Sequence, residues 1–373
     1  MILSEFTKEG GIMPYEVDFI GVKNSSKDAD AIGIRWWEED LGRYIIGVID
    51  GGFTSHGQEL EEIIEKYYFA ETDYKHIDFI ICTHADQDHV IGIKHILSKF
   101  EVDKLYINLP WKYTKELEEF KEDGRKTIKT INESLQNKYK DIFEIEQIAL
   151  ERKVKLCPLF QGTKIANRLL VLSPSKQFYF DRLIESSKTP YSSKETIREG
   201  FIKSACQYIY NIIETWTKDS LKEDEKTSPE NEMSSVILSK MDEEWILFTG
   251  DAGVQGLTTA MDYADKVEPE WKNKVRIYQI PHHGSRHNVT PSILNRMIGE
   301  IVISNTGKKA YVCSGDNTTK LHPLKVVTNA YIRRGVKVYS ATGCTIQCSN
   351  GTSSRDGWSK TSALEFSQKG ESE

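Results

Sequence analysis

Apolar positions in the first hundred residues alternate between short continuous runs and helix-like spacing. The runs are rich in β-branched and aromatic residues and end at turn residues such as Asp50-Gly51-Gly52. The predicted strands are 31–37, 43–50, 77–83 and 104–109, and the predicted helices are 57–69 and 89–100. Strands and helices in this order predict an α/β layered sheet.

A second strand-rich region begins at Met233. The predicted strands are 234–240, 244–251, 274–284, 300–305, 309–314 and 336–341, and the first two form a hairpin pattern. Between the last two, residues 318–335 have helical spacing, with Pro323 in the first turn and Gly335 at the end. Two strand-rich halves, each with helices, predict a layered α/β sandwich.

The segment 111–230 between these halves differs from them in amino-acid composition. It is rich in Lys, Glu and Leu, which is typical of solvated helices, and only 169–174 interrupts it with a strand-like run. We interpret most of it as a helical insertion or lid. The alternative is a large helical layer that packs on the sheet.

Composition narrows the class of protein. The 373 residues are 39% hydrophobic and 28% charged with a net charge of -7, and the six Cys include no CxxC pair. No apolar run approaches the roughly 20 residues of a membrane span, and the N-terminus does not resemble a signal peptide. We therefore expect a cytoplasmic protein without membrane insertion. An acidic chain must hold any polyanionic substrate through a local cationic site or metal ions.

The densest chemical signal is the sequence THADQDH at 83–89, after a predicted strand and before a helix. His84, Asp86, Asp88 and His89 place four metal-capable side chains within six residues. A turn at this point lets His84 and Asp86 face one divalent ion, while Asp88 and His89 face a second. The alternative is a polar loop in which Asp86 and Asp88 only cap the helix.

Three later segments end or follow predicted elements with similar residues. Asp251 ends the run FTGD, His282 and His283 stand in IPHHGS, and His322 precedes Pro323. Asp251 or His322 alone is more typical of a turn or a cap. Two adjacent histidines in a Pro/Gly turn are seldom a packing solution.

Together these motifs resemble the metallo-β-lactamase fold family of hydrolases, whose usual motif is HxHxDH. Asp86 stands where the second His would be, which is similar to the hydrolase domain of ComEC proteins. Residues 28–32, 48–52 and 231–238 are similar to further motifs of that subfamily. The resemblance implies a metallo-β-lactamase-type αββα sandwich, formed by a hydrolase domain at 14–373 with the helical insertion 111–230 inside it.

The resemblance also implies a ligand set for two divalent ions, manganese or zinc. Its members are His84 and Asp86 for the first ion, Asp88, His89 and His283 (rather than His282) for the second, and Asp251 as the bridge. Asn231 stands where most relatives place a further His for the first ion, and its amide oxygen is a weak ligand. Asp50 would not bind an ion itself but would orient one of the ligands through a hydrogen bond.

The activity that the resemblance implies is hydrolysis by a water activated between two metals. Asp88 would accept the proton and His322 would assist the leaving group. We predict a nuclease or phosphodiesterase acting on nucleic acid or another phosphodiester. Ser285, Arg286 and Lys320 would bind phosphate, although a solvated basic edge explains them equally well. The alternatives are a hydrolase of a small lactone, thioester or lactam, and a non-catalytic interaction protein.

Overall fold

The computed structural model describes residues 13–70, 72–117, 127–189, 209–242, 244–316 and 322–372. In chain order its strands are β1 (Tyr15–Phe19), β2 (Ala31–Glu38), β3 (Arg43–Gly51), β4 (His76–Ile77), β5 (Phe79–Ile81), β6 (Glu101–Val102), β7 (Lys104–Tyr106), β8 (Lys155–Cys157), β9 (Lys164–Ile165), β10 (Leu169–Ser173), β11 (Ile209–Ile213), β12 (Val236–Met241), β13 (Glu244–Phe248), β14 (Val275–Gln279), β15 (Lys309–Ser314), β16 (Lys337–Thr342), β17 (Ile346–Asn350) and β18 (Lys369–Ser372).

The α-helices of the same ranges are α1 (Thr54–Ile63), α2 (Gln87–Lys99), α3 (Ile128–Lys138), α4 (Lys140–Glu151), α5 (Lys176–Glu185), α6 (Pro229–Glu232), α7 (Val254–Val267), α8 (Trp271–Lys274), α9 (Pro291–Met297) and α10 (Lys325–Arg333). The helix predicted at 57–69 begins earlier, at Thr54, and continues into the π-helical turn Ile64–Tyr68.

Most of the described strands belong to two seven-stranded sheets. The first has the order β17-β1-β2-β3-β5-β7-β8, and the second has the order β16-β15-β14-β13-β12-β10-β9. In the first sheet β3, β5, β7 and β8 run parallel to one another, and in the second sheet β13, β14, β15 and β16 do so. The remaining pairs in these two sheets are antiparallel. Strands β12 and β13 form the predicted hairpin.

The two sheets face one another across a shared apolar core. Val17 and Ile34 from the first sheet and Ile237 and Ile277 from the second belong to the same buried cluster. The outer faces are covered by helices, with α1 and α2 on the first sheet and α7 and α10 on the second. The architecture is therefore the mixed α/β sandwich that the sequence predicts.

The segment 111–230 contributes strands as well as helices. β8 pairs with β7 in the first sheet, and β10 pairs with β12 in the second. Helices α3 and α4 pack through Ile131 and Ile145 onto the core of the first sheet. The described part of this segment is thus built into both sheets, and its division from the rest of the domain stays a prediction.

Two local predictions were wrong. No strand forms at 300–305, where Ile303 is 94% exposed, because the apolar pattern there does not meet a sheet edge. The helix predicted from 318 begins at Lys325, and residues 317–321 lie outside the described part of the chain. No helix in the described ranges is both long enough and apolar enough to span a membrane.

Candidate metal centre

The loop between β5 and α2 is held by a carboxylate at the end of β3. Asp50, at φ 56, accepts hydrogen bonds from the Thr83 N–H at 2.8 Å and the Thr83 hydroxyl at 2.6 Å. Its Oδ2 also lies 2.8 Å from Nδ1 of His89. Asp50 is buried, so it fixes both the loop and the orientation of the His89 ring. Asp50 thus lies on the far side of the His89 ring from Asp251, and its role in orienting a metal ligand stays a prediction.

Asp251 lies between the imidazoles of the first motif. It follows β13, and its backbone N–H donates to Ser234 Oγ at 3.0 Å. Its Oδ1 lies 3.1 Å from Nε2 of His89, and its Oδ2 lies 3.6 Å from Nε2 of His84. The two oxygens of one buried carboxylate therefore face two different histidines.

A second set of ligand types surrounds His283. Nε2 of His283 lies 3.3 Å from Asp88 Oδ2, and its Nδ1 faces the carbonyl oxygen of Cys313 at 3.0 Å. Asp30, His89, Asp251 and His283 each offer one ligand atom, and these atoms all lie within 4.8 Å of one another. All four side chains are buried. The structure therefore brings together motifs that are far apart in the sequence.

Several polar atoms at the centre lack partners among the described residues. His84 Nε2, His89 Nε2 and Asp251 Oδ1 are buried without a hydrogen bond, since His89 and Asp251 are close but not aligned for one. Buried polar atoms without partners are costly and rare. A divalent cation would satisfy all three, because imidazole nitrogens and carboxylate oxygens are its preferred ligands. The residues present fit a metal site.

The charges of the cluster are strongly coupled. Burial raises the pKa of Asp30 to about 6, against the lowering effect of His283 and His89 and with a smaller raising effect of the Asp251 and Asp50 carboxylates. Burial alone would also raise the pKa of Asp251, but the imidazoles of His89 and His282 hold it well below its usual range. The centre therefore concentrates negative charge that a cation would balance.

Asp86 has a cationic partner from the segment 111–230. Its Oδ1 accepts from Lys188 Nζ at 2.9 Å, and its Oδ2 lies 4.0 Å from His84 Nε2. Lys188 is partly exposed, at 38% of its side chain. The structure thus places Asp86 beside His84, with an ammonium group at the rim of the site.

Asn231 lies beside the cluster but its amide is directed elsewhere. Its Oδ1 accepts from Ser228, and its Nδ2 donates to Thr227 Oγ1 at 3.0 Å and lies 3.1 Å from His282 Nδ1. Its side chain therefore contacts His282. Its role as a ligand stays a prediction without a contact that supports it.

His322 pairs with a buried carboxylate near the other histidines. Its Nδ1 lies 3.1 Å from Asp28 Oδ2, and its ring centroid lies 6.4 Å from that of His282. Asp28 also accepts from the Gly315 N–H at 2.9 Å. This pairing orients His322 towards the edge of the cluster.

The three residues predicted to bind phosphate are less favourably placed. Arg286 is buried and donates to the backbone carbonyl of Glu371 at 2.8 Å. Ser285 is also buried, and its Oγ accepts from the His287 N–H at 3.4 Å. Lys320 lies outside the described residues. Their roles remain predictions.

Sequence reasoning gave no site role to three residues that the structure brings to the cluster. Asp30 belongs to the motif at 28–32 and directly precedes β2, which is the signal that could have found it. His282 was set aside in favour of its neighbour. Lys188 carried no signal, because its approach to Asp86 spans 102 positions of sequence.

Comparison with known proteins agrees with this geometry. Residues 45–156, which include β3, β5, α2 and the first motif, match the model of the Metallo-beta-lactamase superfamily. The matched residues reach from β3 to β8, so the match covers part of the first sheet and none of the second. The superfamily consists of metal-dependent hydrolases, and the buried cluster of Asp and His is compatible with divalent metal ions. The likeness to ComEC proteins is not part of this match.

Solved structures with a similar arrangement have low sequence identity. Unliganded yeast PDE1 is 10% identical with a TM-score of 0.44, covering 90% of this chain and 99% of that one. The archaeal superfamily protein from Sulfolobus tokodaii is 14% identical with a TM-score of 0.31, covering 75% and 83%. A metallo-beta-lactamase from Hirschia baltica is 13% identical with a TM-score of 0.28, covering 72% and 87%. No curated protein matches the chain.

Proposed function

We propose that this protein is a nuclease or phosphodiesterase that hydrolyses phosphodiester bonds with two divalent metal ions. One observation carries the proposal. The two oxygens of Asp251 face His89 at 3.1 Å and His84 at 3.6 Å, and the atoms Oδ1, His89 Nε2 and His84 Nε2 have no hydrogen-bond partner in the described chain. A carboxylate between two sets of unpartnered ligands suits a bridge between two cations.

Each proposed set of ligands lies on the side of one carboxylate oxygen of Asp251. His84 and Asp86 would hold the first ion, and the second would be held by Asp88, His89 and His283. Bound divalent ions would supply Lewis acidity, lowering the pKa of a water molecule and offsetting negative charge on a phosphoryl group. Asp30 adds a further buried carboxylate to the second side.

Residues of the chain itself would move protons and orient the substrate. Asp88, with its Oδ2 facing His283, is the proposed acceptor of the proton from the attacking water. His322 is oriented through Nδ1 by Asp28, so that Nε2 is the ring nitrogen left to assist the departing oxygen. Lys188 would contribute positive charge next to Asp86.

The charge pattern supports a phosphodiester over a neutral substrate. An ammonium group at the rim and cations in the centre would concentrate positive charge in a chain whose net charge is -7. Asp86 instead of His makes the first site rich in oxygen ligands. Because harder ions prefer oxygen, we propose manganese beside zinc as the metal.

An activity assay with matched variants tests the proposal. Purified protein with Mn²⁺, Zn²⁺ or EDTA is incubated with single- and double-stranded DNA, RNA and a bis-aryl phosphodiester. We expect hydrolysis that EDTA abolishes and that falls at least about a hundredfold in Asp251→Asn. Asp262→Asn is the matched control, since Asp262 is exposed and pairs only with Arg296 among its described ion pairs. Equal activity of Asp251→Asn and the wild type would overturn the proposal.

One structural feature favours the small-molecule alternative. A cavity adjoins Thr83 and His84 and is lined largely by apolar side chains, including Ile107, Ile142 and Met233. Its volume of about 20 Å³ is room for about one water molecule, so the cavity would have to widen to take the acyl part of a lactone or thioester. Adding a lactone, a thioester and a lactam to the assay therefore decides between the two functions, because the alternative predicts hydrolysis of one of these without hydrolysis of phosphodiesters.

A further inference from the structure

We infer that His282 is the nitrogen ligand of the first metal ion, in the role that the sequence pattern assigned to position 231. This inference rests on the proposed two-metal function. His282 stands next to His283, and the family motif alone selects His283 as the ligand of this pair. The assignment follows from the position of its ring, the hydrogen bond that fixes it and the backbone that carries it.

The His282 ring points at the oxygen of Asp251 that faces His84. Nε2 of His282 lies 3.6 Å from Asp251 Oδ2, the same separation that this oxygen has from Nε2 of His84. His282 and His84 thus approach one carboxylate oxygen at equal distances. The other oxygen, Oδ1, belongs to the side of His89. His282 therefore lies on the side of the first ion.

Two amides face Nδ1 of His282, and one of them, Asn288, offers an oxygen that can accept a proton. Asn288 Nδ2 donates to the backbone carbonyl of Asp251 at 2.7 Å, so its Oδ1 is the atom that faces His282 Nδ1 at 2.9 Å. When Nδ1 carries the proton it donates to this oxygen, and Asn231 Nδ2, a donor 3.1 Å from the same nitrogen, makes no hydrogen bond to it. The lone pair then lies on Nε2, which is the nitrogen that faces Asp251.

The lone pair of a neutral imidazole and a carboxylate oxygen are both acceptors. Two acceptors 3.6 Å apart form no hydrogen bond with each other, whereas a cation or a proton between them would interact favourably with both. His84 Nε2, which is buried and lacks a partner in the described chain, faces the same oxygen. His84 Nε2 and His282 Nε2 thus face one oxygen of Asp251, and Asp86 Oδ2 lies 4.0 Å from His84 Nε2, so a bound ion would have to draw these ligand atoms closer together.

The backbone supports a specific role for both adjacent histidines. His282 and His283 have φ values of 48° and 55°, in the left-handed region that residues other than Gly adopt in only a few per cent of cases, although His does so more often than most. Consecutive residues in this region cost free energy and persist where the surroundings require them. The turn directs His282 towards Asp251 and His283 towards Asp88.

Asn231 then lies beside His282 without being a ligand itself. Its Nδ2 lies 3.1 Å from His282 Nδ1, and it is held in place by Thr227 and Ser228. The position where the family pattern expects a histidine ligand therefore carries a residue that contacts another histidine. The nitrogen ligand would have moved from residue 231 to residue 282.

Metal content of single variants tests the inference without relying on activity. We would measure bound zinc and cobalt by equilibrium dialysis and elemental analysis for the wild type, His282→Ala and His287→Ala. His287 is the matched control, because it lies in the next 3-10 turn, is 45% exposed and faces Glu225. We expect about two ions in the wild type and in His287→Ala, and about one in His282→Ala.

A ligand exchange gives a direct spectroscopic readout. In His282→Cys, a thiolate at this position would bind the first cobalt ion and produce an intense near-ultraviolet charge-transfer band that the wild type lacks. Asn231→Cys serves as the comparison. A band in His282→Cys and none in Asn231→Cys is the expected result, and the reverse would overturn the inference.

The failure of the inference and the failure of the proposed function give different results. If the wild type binds fewer than two ions, the two-metal function is wrong. If the wild type and His282→Ala both bind two ions, the function stands and His282 is not a ligand. His282→Ala should fold, since the side chain is 29% exposed, and circular dichroism of the variant verifies this.

Discussion

Asp50 Oδ2 lies 2.8 Å from Nδ1 of His89, and both side chains are buried. The opposite nitrogen of the ring, Nε2, lies 3.1 Å from Asp251. His89 is thus held between a carboxylate that orients it and a carboxylate at the centre of the proposed site. Carboxylates behind a metal-binding histidine fix its tautomer and raise its basicity.

Asp50→Asn should weaken the second metal ion without unfolding the protein. The amide has the same shape but not the negative charge, and loss of such a partner typically lowers metal affinity by about 10- to 100-fold. Competition with a chelator of known affinity measures this change. Asp262→Asn is the control, and an affinity unchanged in Asp50→Asn would show that Asp50 only holds the Thr83 loop.

Lys188→Met should impair phosphodiester hydrolysis while both metal ions remain bound. The variant keeps much of the side-chain volume but removes the ammonium that lies 2.9 Å from Asp86. We expect kcat/KM for DNA or a bis-aryl phosphodiester to fall about tenfold or more. Lys176→Met is a matched control from the same segment, because Lys176 is exposed and pairs with Glu116. Similar kinetics in the two variants would remove Lys188 from the substrate site.

Metal affinity should fall as the solution becomes more acidic. Burial alone would lower the pKa of His89, but the carboxylates of Asp251 and Asp50 outweigh it and raise that pKa well above its ordinary value in the metal-free protein. A metal must displace this proton, so affinity decreases from about pH 8 to about pH 6. Calorimetry in buffers of different ionisation enthalpy measures the released protons. Asp50→Asn should show a weaker dependence, and a pH-independent affinity would contradict the expectation.

Gly92→Ala should destabilise the fold beneath the site. A Cβ added at Gly92 would lie 1.8 Å from the carbonyl oxygen of Gly51, where α2 crosses the end of β3. Because the obstacle is backbone, relief requires the helix to move, and overpacking of this kind costs about 1–3 kcal/mol or more. Urea denaturation measures the free energy of unfolding. Ser98→Ala, on an exposed position of the same helix, should change it little, and equal stability of both variants would contradict the packing.

The sequence predicts the sandwich because both halves carry strong period-2 and continuous apolar runs. Strands β2, β3, β12 and β15 lie where those runs predict them. The prediction of a strand at 300–305 was wrong, because apolar residues form a strand only where a neighbouring strand is available to pair with them. Strand β10 lies within the strand-like run at 169–174, whereas β8 and β9 give no such run, because they are only three and two residues long and lie among charged residues.

The candidate site was predictable where one motif supplies several ligands. His84, Asp86, Asp88 and His89 are close in sequence, and their convergence needs only a turn. Lys188 and Asp30 reach the cluster through tertiary contacts that no local pattern records. The choice between His282 and His283 depended on backbone angles and on Asn288, which are known only from the structure.

Metal content of the double variant Asp88→Ala plus His89→Ala tests the central claim most directly. Both residues belong to the first motif, and Nε2 of His89 and Oδ2 of Asp88 face Asp251 and His283 respectively. Protein purified without chelator is analysed for bound zinc and manganese beside the wild type. The account predicts about two ions in the wild type and at least one fewer in the variant. Unchanged metal content in a folded double variant would contradict it.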